Sequence, residues 1–328
     1  VGYLSVFFPG LQTPLAAFVV AETLLWTLTL VNILGVRAGG AVQVATTALK
    51  VLALLMVSAA LFTVGSTDNL VPFAPKGLGA LFPAISLVTW VLLGAESVTV
   101  PAEEVRDASR TIGRSAYIGF ALATAVYFLV ALSVCMALPS QEIAGTASPL
   151  ALAARRALGP WGEGFITVGA LVSITGVLNG WLLVTGRLPF AAARQGLAPA
   201  MLGRLHPRTG TPVLGLVLSS LLTGGLLALY FNQTLLGAYN FVALASSATA
   251  LLAIAAACAA QIALVRREPE RFTAAQRRRG PLMGLVGLLV IAVMIAGSGL
   301  DVGLLTLVVV VLPVPYYLWL RRRTAVSA

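Results

Sequence analysis

Residues 83–106, PAISLVTWVLLGAESVTVPAEEVR, decide how this chain is read. Apolar residues run from Ile85 to Leu93; Gly94 and Ala95 follow with Glu96 beside them, and Pro101 comes five residues later. The stretch reads as a membrane helix that breaks near its own middle. In hydrocarbon, non-helical backbone survives only where protein or a watery cavity satisfies it. An ionisable group at that depth marks a pathway by default. The plainer alternative is a helix kinked for packing, with Trp90 turned to lipid.

The surrounding composition fits a membrane. Of 328 residues, 59% are hydrophobic and 10% charged, whereas a soluble domain carries about 25% charged residues. That is too little charge to cover a water-facing surface, so the chain is expected to be an all-α polytopic membrane protein. The net charge of +10 does not point to nucleic acid, because the arginines sit in short clusters between apolar runs, as membrane topology requires. Cys135 and Cys258 lie in separate apolar runs without CxxC spacing and read as small hydrophobes. The single His206 cannot build a histidine metal site. No metal or cofactor is expected, and no signal peptide is visible at the start.

A spanning helix needs about 20 mostly apolar residues. By that measure the expected spans are 14–35, 40–64, 80–101, 115–138, 162–188, 212–231, 235–265, 282–299 and 302–320. No segment alternates with period two over many residues, which argues against a barrel. All Lys and Arg residues except Lys50, Lys76, Arg155 and Arg156 fall on one side of this scheme. That side, with the C-terminus, is expected to be cytoplasmic. The sequence ALAARRALG (151–159) reads as a short amphipathic helix along the membrane surface.

Few residues carry chemistry. Trp90 and Glu96 are six apart, about 240° around a continuous helix, so they border one cavity only if the helix unwinds at Leu93-Gly94-Ala95. Lys50 lies deep in its span; it reads either as a proton-exchanging ammonium or as a fixed cationic strut. Glu22 reads as a bundle-facing acid that bonds a neighbouring helix or meets a cationic solute. Trp181 reads as an interfacial anchor, and Ser246 and Ser247 as helix–helix bonding groups or ligand contacts. An intramembrane protease would need a Ser/His pair, paired aspartates or a zinc motif. Asp68, Asp107, Asp301 and His206 all fall in loops, so no enzyme is expected.

Three stretches carry a family resemblance. The segment WVLLGAESVTVPAEEVRDASRTIGRS (90–115) resembles the sixth helix and following loop of amino acid–polyamine–organocation permeases. VGYLSVFFPGLQTPL (1–15) is similar to the end of their third helix, and NGWLLVTGRLPFAAARQGLAPAMLGRLHPRTGTP (179–212) to the eighth helix and its loop. The likeness is to arginine/agmatine antiporter-like and proton-coupled amino acid permeases. It implies a twelve-helix fold built from two inverted five-helix repeats with discontinuous helices, of which the nine spans would be helices four to twelve. Residues 1–79 would be a remnant of the first repeat and 80–265 the second repeat, broken at 90–97. Residues 266–328 would form two accessory helices and a basic tail.

The resemblance further implies secondary transport of an amino acid across the plasma membrane by alternating access, with protons, substrate and lipid as partners, and a homodimer. Trp90 would stack on the substrate; Leu93, Gly94 and Ala95 would offer backbone groups to its amino end. Glu96 would be the protonation and gating residue, Trp181 a deeper gate, and Ser246 and Ser247 near neighbours. Lys50 resembles the fifth-helix lysine that stands in for sodium in proton-driven relatives. The family's first helix, which receives the substrate carboxylate, is missing from this reading. The chain is therefore expected to be an N-terminally truncated permease, with a cationic amino acid or polyamine exchanger, or a non-transporting fragment, as alternatives.

Overall fold

The computed structural model describes residues 1–35, 40–72, 77–94, 107–230, 234–312 and 314–319. Ten α-helices lie among them: α1 Pro14–Ile33, α2 Gly40–Val64, α3 Leu81–Leu92, α4 Ala108–Ala137, α5 Ser140–Ala144, α6 Pro149–Arg194, α7 Val213–Tyr230, α8 Leu235–Arg267, α9 Ala274–Gly297 and α10 Leu300–Val311. No strand occurs among the described residues. Seven of the helical segments are long and apolar enough to cross a membrane, and Leu78–Leu92 and Val213–Leu229 are shorter apolar helices. The chain is an all-α polytopic membrane protein.

The distribution of side chains is that of a protein dissolved in lipid. Large apolar residues point outward along the helices, among them Leu49, Phe128, Leu222 and Leu304, while many buried positions are serine, threonine or alanine. Lipid tails are as apolar as leucine, so helices gain little by burying it. They associate instead through small residues that allow close approach and through hydrogen bonds.

The chain forms two compact units. The first comprises residues 1–73 and 100–238, the second 74–99 and 239–328. In the first unit, polar pairs lock α1 to its neighbours. Asn32 Nδ2 donates to Asn179 Oδ1 on α6 at 2.7 Å, and the Thr29 and Ser220 hydroxyls share a buried 2.7 Å hydrogen bond between α1 and α7. The apolar core joins α2, α4 and α6 through Val57, Leu61, Val134, Leu138 and Ile166.

That core also takes in Ala151, Ala153 and Ala154, all fully buried. The 151–159 segment therefore does not rest its apolar face on lipid. It packs its alanines against protein, because a methyl side chain lets helices come close. It ends at Gly159, whose φ +70° and ψ −164° are non-helical, so α6 is two helical stretches that meet at a kink, the second running to Arg194. Pro160 opens the second stretch, where its missing N–H costs nothing.

In the second unit, α9 is the hub. The Ser86 hydroxyl of α3 donates to the Met294 carbonyl at 2.8 Å. A Cβ at Gly297 would stand 2.9 Å from the Phe82 carbonyl oxygen and 3.0 Å from the Ser86 hydroxyl, so the α3–α9 approach depends on that glycine. On another side, Gly284 and Gly287 of α9 face Ile262 and Cys258 of α8 in the same manner. Gly299, at φ +91°, turns the chain from α9 into α10.

Candidate functional site

Helix α3 stops where the sequence places the interruption. Twelve residues at 1.5 Å each make it about 18 Å long, well short of a hydrocarbon core of about 30 Å. The Leu93 N–H closes the last turn, donating to the carbonyls of Thr89 at 3.1 Å and Trp90 at 3.3 Å. Leu93 then swings to ψ 148° and leaves the helix, and Gly94 follows at φ +115°, a conformation side-chain-bearing residues rarely adopt. Glycine is what permits the turn out of the helix inside an apolar run.

This geometry decides what the break can bind. The Leu93 N–H is spent on the cap. A helix C-terminus presents carbonyl oxygens and about half a negative charge. The end of α3 at Leu93 therefore favours a cation.

Trp90 lies in the last turn of α3 and is half-buried. Its ring meets Tyr239 of α8 edge-on, with centroids 5.3 Å apart and planes 85° to each other. Ser246 stands seven residues beyond Tyr239, two turns along, and so on the same stripe of α8 about 10 Å away. Its side chain is exposed, whereas Ser247 is fully buried and its hydroxyl donates to the Ala243 carbonyl at 2.8 Å. The structure thus brings Trp90, Leu93 and Gly94 together at the break, with Ser246 on the stripe of α8 that faces Trp90. Ala95 and Glu96 lie outside the described residues.

Lys50 and Trp181 belong to the first unit. Lys50 is half-buried on α2, with no carboxylate within 4.0 Å among the described residues. Trp181 is exposed on α6. Glu22, also in this unit, is fixed in place: its Oε2 accepts from Trp26 Nε1 at 3.0 Å, and its carboxylate fills a notch at Gly224 of α7. A Cβ at Gly224 would lie 2.8 Å from both oxygens. Glu22 Oε1 is buried and finds no hydrogen-bond partner among the described residues. Glu22 therefore faces α7, but its one hydrogen bond is within α1, and no bond to a neighbouring helix is shown among the described residues. No group of three or more His, Cys, Asp or Glu residues is placed to hold a metal among the described residues.

Tyr239 is the site residue that sequence reasoning missed. It sits 149 positions from Trp90, and nothing local in the stretch TLLGAYN (234–240) distinguishes it. The one available signal was its spacing of seven from Ser246, which puts both on one helical stripe.

Comparison with known proteins fits these features. The sequence profile of a family described as amino acid permease matches residues 1–317. A branched-chain amino acid permease of Bacillus subtilis (strain 168) is 28% identical over 64% of this chain and 49% of its own length. An uncharacterized transporter of Mycobacterium tuberculosis is 30% identical over 88% of this chain and 64% of its own length. A cadaverine/lysine antiporter of Escherichia coli (strain K12) is 28% identical over 67% of this chain and 50% of its own length. The matches thus span about half to two thirds of these relatives.

Proposed function

The chain belongs to the amino acid permease family, and from that premise we propose that it moves amino acids across the plasma membrane by proton-coupled alternating access. One observation carries this reading: α3 ends inside an apolar run, at Leu93-Gly94, with an indole on its last turn. Discontinuous helices of this kind hold substrates at mid-membrane in secondary transporters.

In this mechanism the ammonium of the substrate meets the carbonyl end of α3 at Leu93, Gly94 and Ala95. Trp90, braced edge-on by Tyr239, stacks on the rest of the molecule. Glu96 takes and releases the coupling proton and gates the path. Ser246 and Ser247 lie beside the site, Trp181 forms a deeper gate, and Lys50 provides the fixed or exchanging positive charge that replaces a metal ion. The arginine-rich loops and the C-terminus face the cytoplasm, and the protein assembles as a homodimer. The two repeats proposed for alternating access divide at about residue 80.

Uptake of labelled amino acids into proteoliposomes tests the assignment. Trp90→Leu is expected to cut uptake by roughly tenfold or more, since a stacked aromatic contributes both area and geometry. Glu96→Gln is expected to flatten the pH dependence of uptake while the protein still folds. If both variants leave rate and pH profile unchanged, the site is elsewhere.

A second reading, exchange of cationic amino acids or polyamines, draws support from the negative end of α3, which would also suit a side-chain ammonium. Preloading separates the two. Uptake that needs an internal amine and ignores a pH gradient favours exchange; uptake driven by the gradient into empty vesicles favours proton coupling.

A further inference from the structure

Six arginines gather where α8 passes into α9, and beyond orienting the chain in the membrane the transport reading gives them no role. Arg266 and Arg267 lie in the last turn of α8, Arg271 in the connection, and Arg277, Arg278 and Arg279 near the start of α9. All six are exposed. Arg271 pairs with Glu268 at 2.8 Å. The other five have no carboxylate within 4.0 Å among the described residues.

Two features of the fold concentrate this charge. Thr273 and Gln276 form a reciprocal cap: the Gln276 N–H donates to the threonine hydroxyl, and the Thr273 N–H donates to the glutamine side chain. That cap starts α9 at Ala274, so the three consecutive arginines are held on helix rather than left in a loop. Gly280 then packs beside α8: a Cβ there would stand 3.4 Å from Gln261 Nε2 and from Val265 Cγ2, an ordinary contact. Gly280 directly follows Arg279 and Val265 directly precedes Arg266, so this contact lies immediately beneath both arginine sets.

Arg277–Arg279 sit near the positive end of α9, where cations are disfavoured. Clustered positive charge in that position is relieved by an anion. The cluster also terminates two apolar spans, Tyr239–Arg267 and Ala274–Gly297, which puts it at the depth of lipid headgroups. Guanidinium forks match phosphate oxygens two at a time. Basic clusters between membrane helices bind anionic headgroups for these reasons.

We propose that the α8–α9 junction is a binding site for anionic phospholipid, formed by Arg266, Arg267 and Arg277–Arg279 where the two helices meet. The site is independent of the transport reading.

The 328-residue chain in neutral detergent, titrated with phosphatidylglycerol, phosphatidylcholine and inorganic phosphate and followed by native mass spectrometry, tests this. Phosphatidylglycerol is expected to be retained over phosphatidylcholine, and inorganic phosphate at equal concentration should not displace it. The triple variant Arg277→Gln, Arg278→Gln, Arg279→Gln should lose affinity by roughly 100-fold. The triple Arg→Lys variant keeps the charge but loses the fork geometry, so its affinity should fall between those of the unaltered chain and the Gln variant. A charge-matched control, Arg194→Gln with Arg204→Gln and Arg208→Gln, should change it by less than about threefold. Equal retention of the two lipids by the unaltered chain overturns the proposal, whether or not any variant folds. Displacement by free phosphate, or an equal loss in the control, also overturns it.

Discussion

Among the described residues, Gly94 ends one helix and Gly159 kinks another, and their surroundings differ. Gly94 ends α3 at φ +115°, after a run of apolar residues, with Trp90 one turn back. Gly159 kinks α6 at φ +70°, but the helix resumes at once behind Pro160. Around Gly159, charge is used for fastening. Arg155 reaches across the kink to Glu163 at 3.3 Å. Arg156 pairs with Glu142 at 3.1 Å and donates to the Ala137 carbonyl at 3.0 Å. An interruption is therefore not a site by itself. A kink whose neighbours are already paired joins two packed segments. A break that leaves a helix C-terminus and an aromatic ring in an apolar region is, on the function proposed above, where the solute binds.

Replacing each glycine by alanine puts that distinction at risk, and gives the largest effect expected here. Both conformations are close to glycine-only, and forcing a Cβ into them costs about 1–3 kcal/mol. At Gly94 the chain can escape the strain by extending α3, which would erase the proposed site. Gly94→Ala is expected to cut uptake by roughly tenfold or more. Gly159→Ala is expected to lower thermal stability by about 1–3 kcal/mol while uptake per folded molecule stays within about twofold. Paired melting and uptake measurements check both. Equal losses of uptake would mean that the two interruptions are alike in function.

Tyr239 sharpens the comparison from the other side of the break. An edge-to-face pair contributes about 0.5–1.5 kcal/mol beyond its buried area. Tyr239→Leu is therefore expected to weaken substrate affinity by about two- to tenfold, with Tyr239→Phe nearly silent. A KM unchanged in Tyr239→Leu would show that Trp90 needs no brace.

How much of this was legible beforehand follows from the range of each interaction. The break at Leu93-Gly94 was readable because its cause is local: an apolar run, then glycine, then an acid. The spans were readable because hydropathy is a windowed property. The end of the 151–159 helix was readable as well, since Gly-Pro reads as a stop and Gly159 is non-helical there; the burial of its alanines in the core was not, because it depends on packing against residues far away in sequence. The early start of α9 was written in Thr273 and Gln276, a capping pair easily passed over beside so many arginines. The Trp90–Tyr239 and Glu22–Gly224 contacts were out of reach, because each joins helices far apart in sequence and depends on how they pack.

The smallest effect concerns the strap across the kink. Arg155 is 60% exposed in its side chain and Glu163 19%, so water screens one partner well and the other poorly. Exposed ion pairs contribute about 0.2–1 kcal/mol, and the span of eight residues across Gly159 adds ordering cost on the arginine side. Glu163→Gln is expected to lower stability by about 0.5 kcal/mol at low salt and by less at high salt. A double-mutant cycle with Arg155→Ala, read by thermal unfolding at two ionic strengths, isolates the pair. A salt-dependent coupling energy supports a strap that fastens a structural kink. A coupling of zero would leave Pro160 and the buried alanines as the features that carry α6 through Gly159, and would separate that kink still further from the break at Gly94.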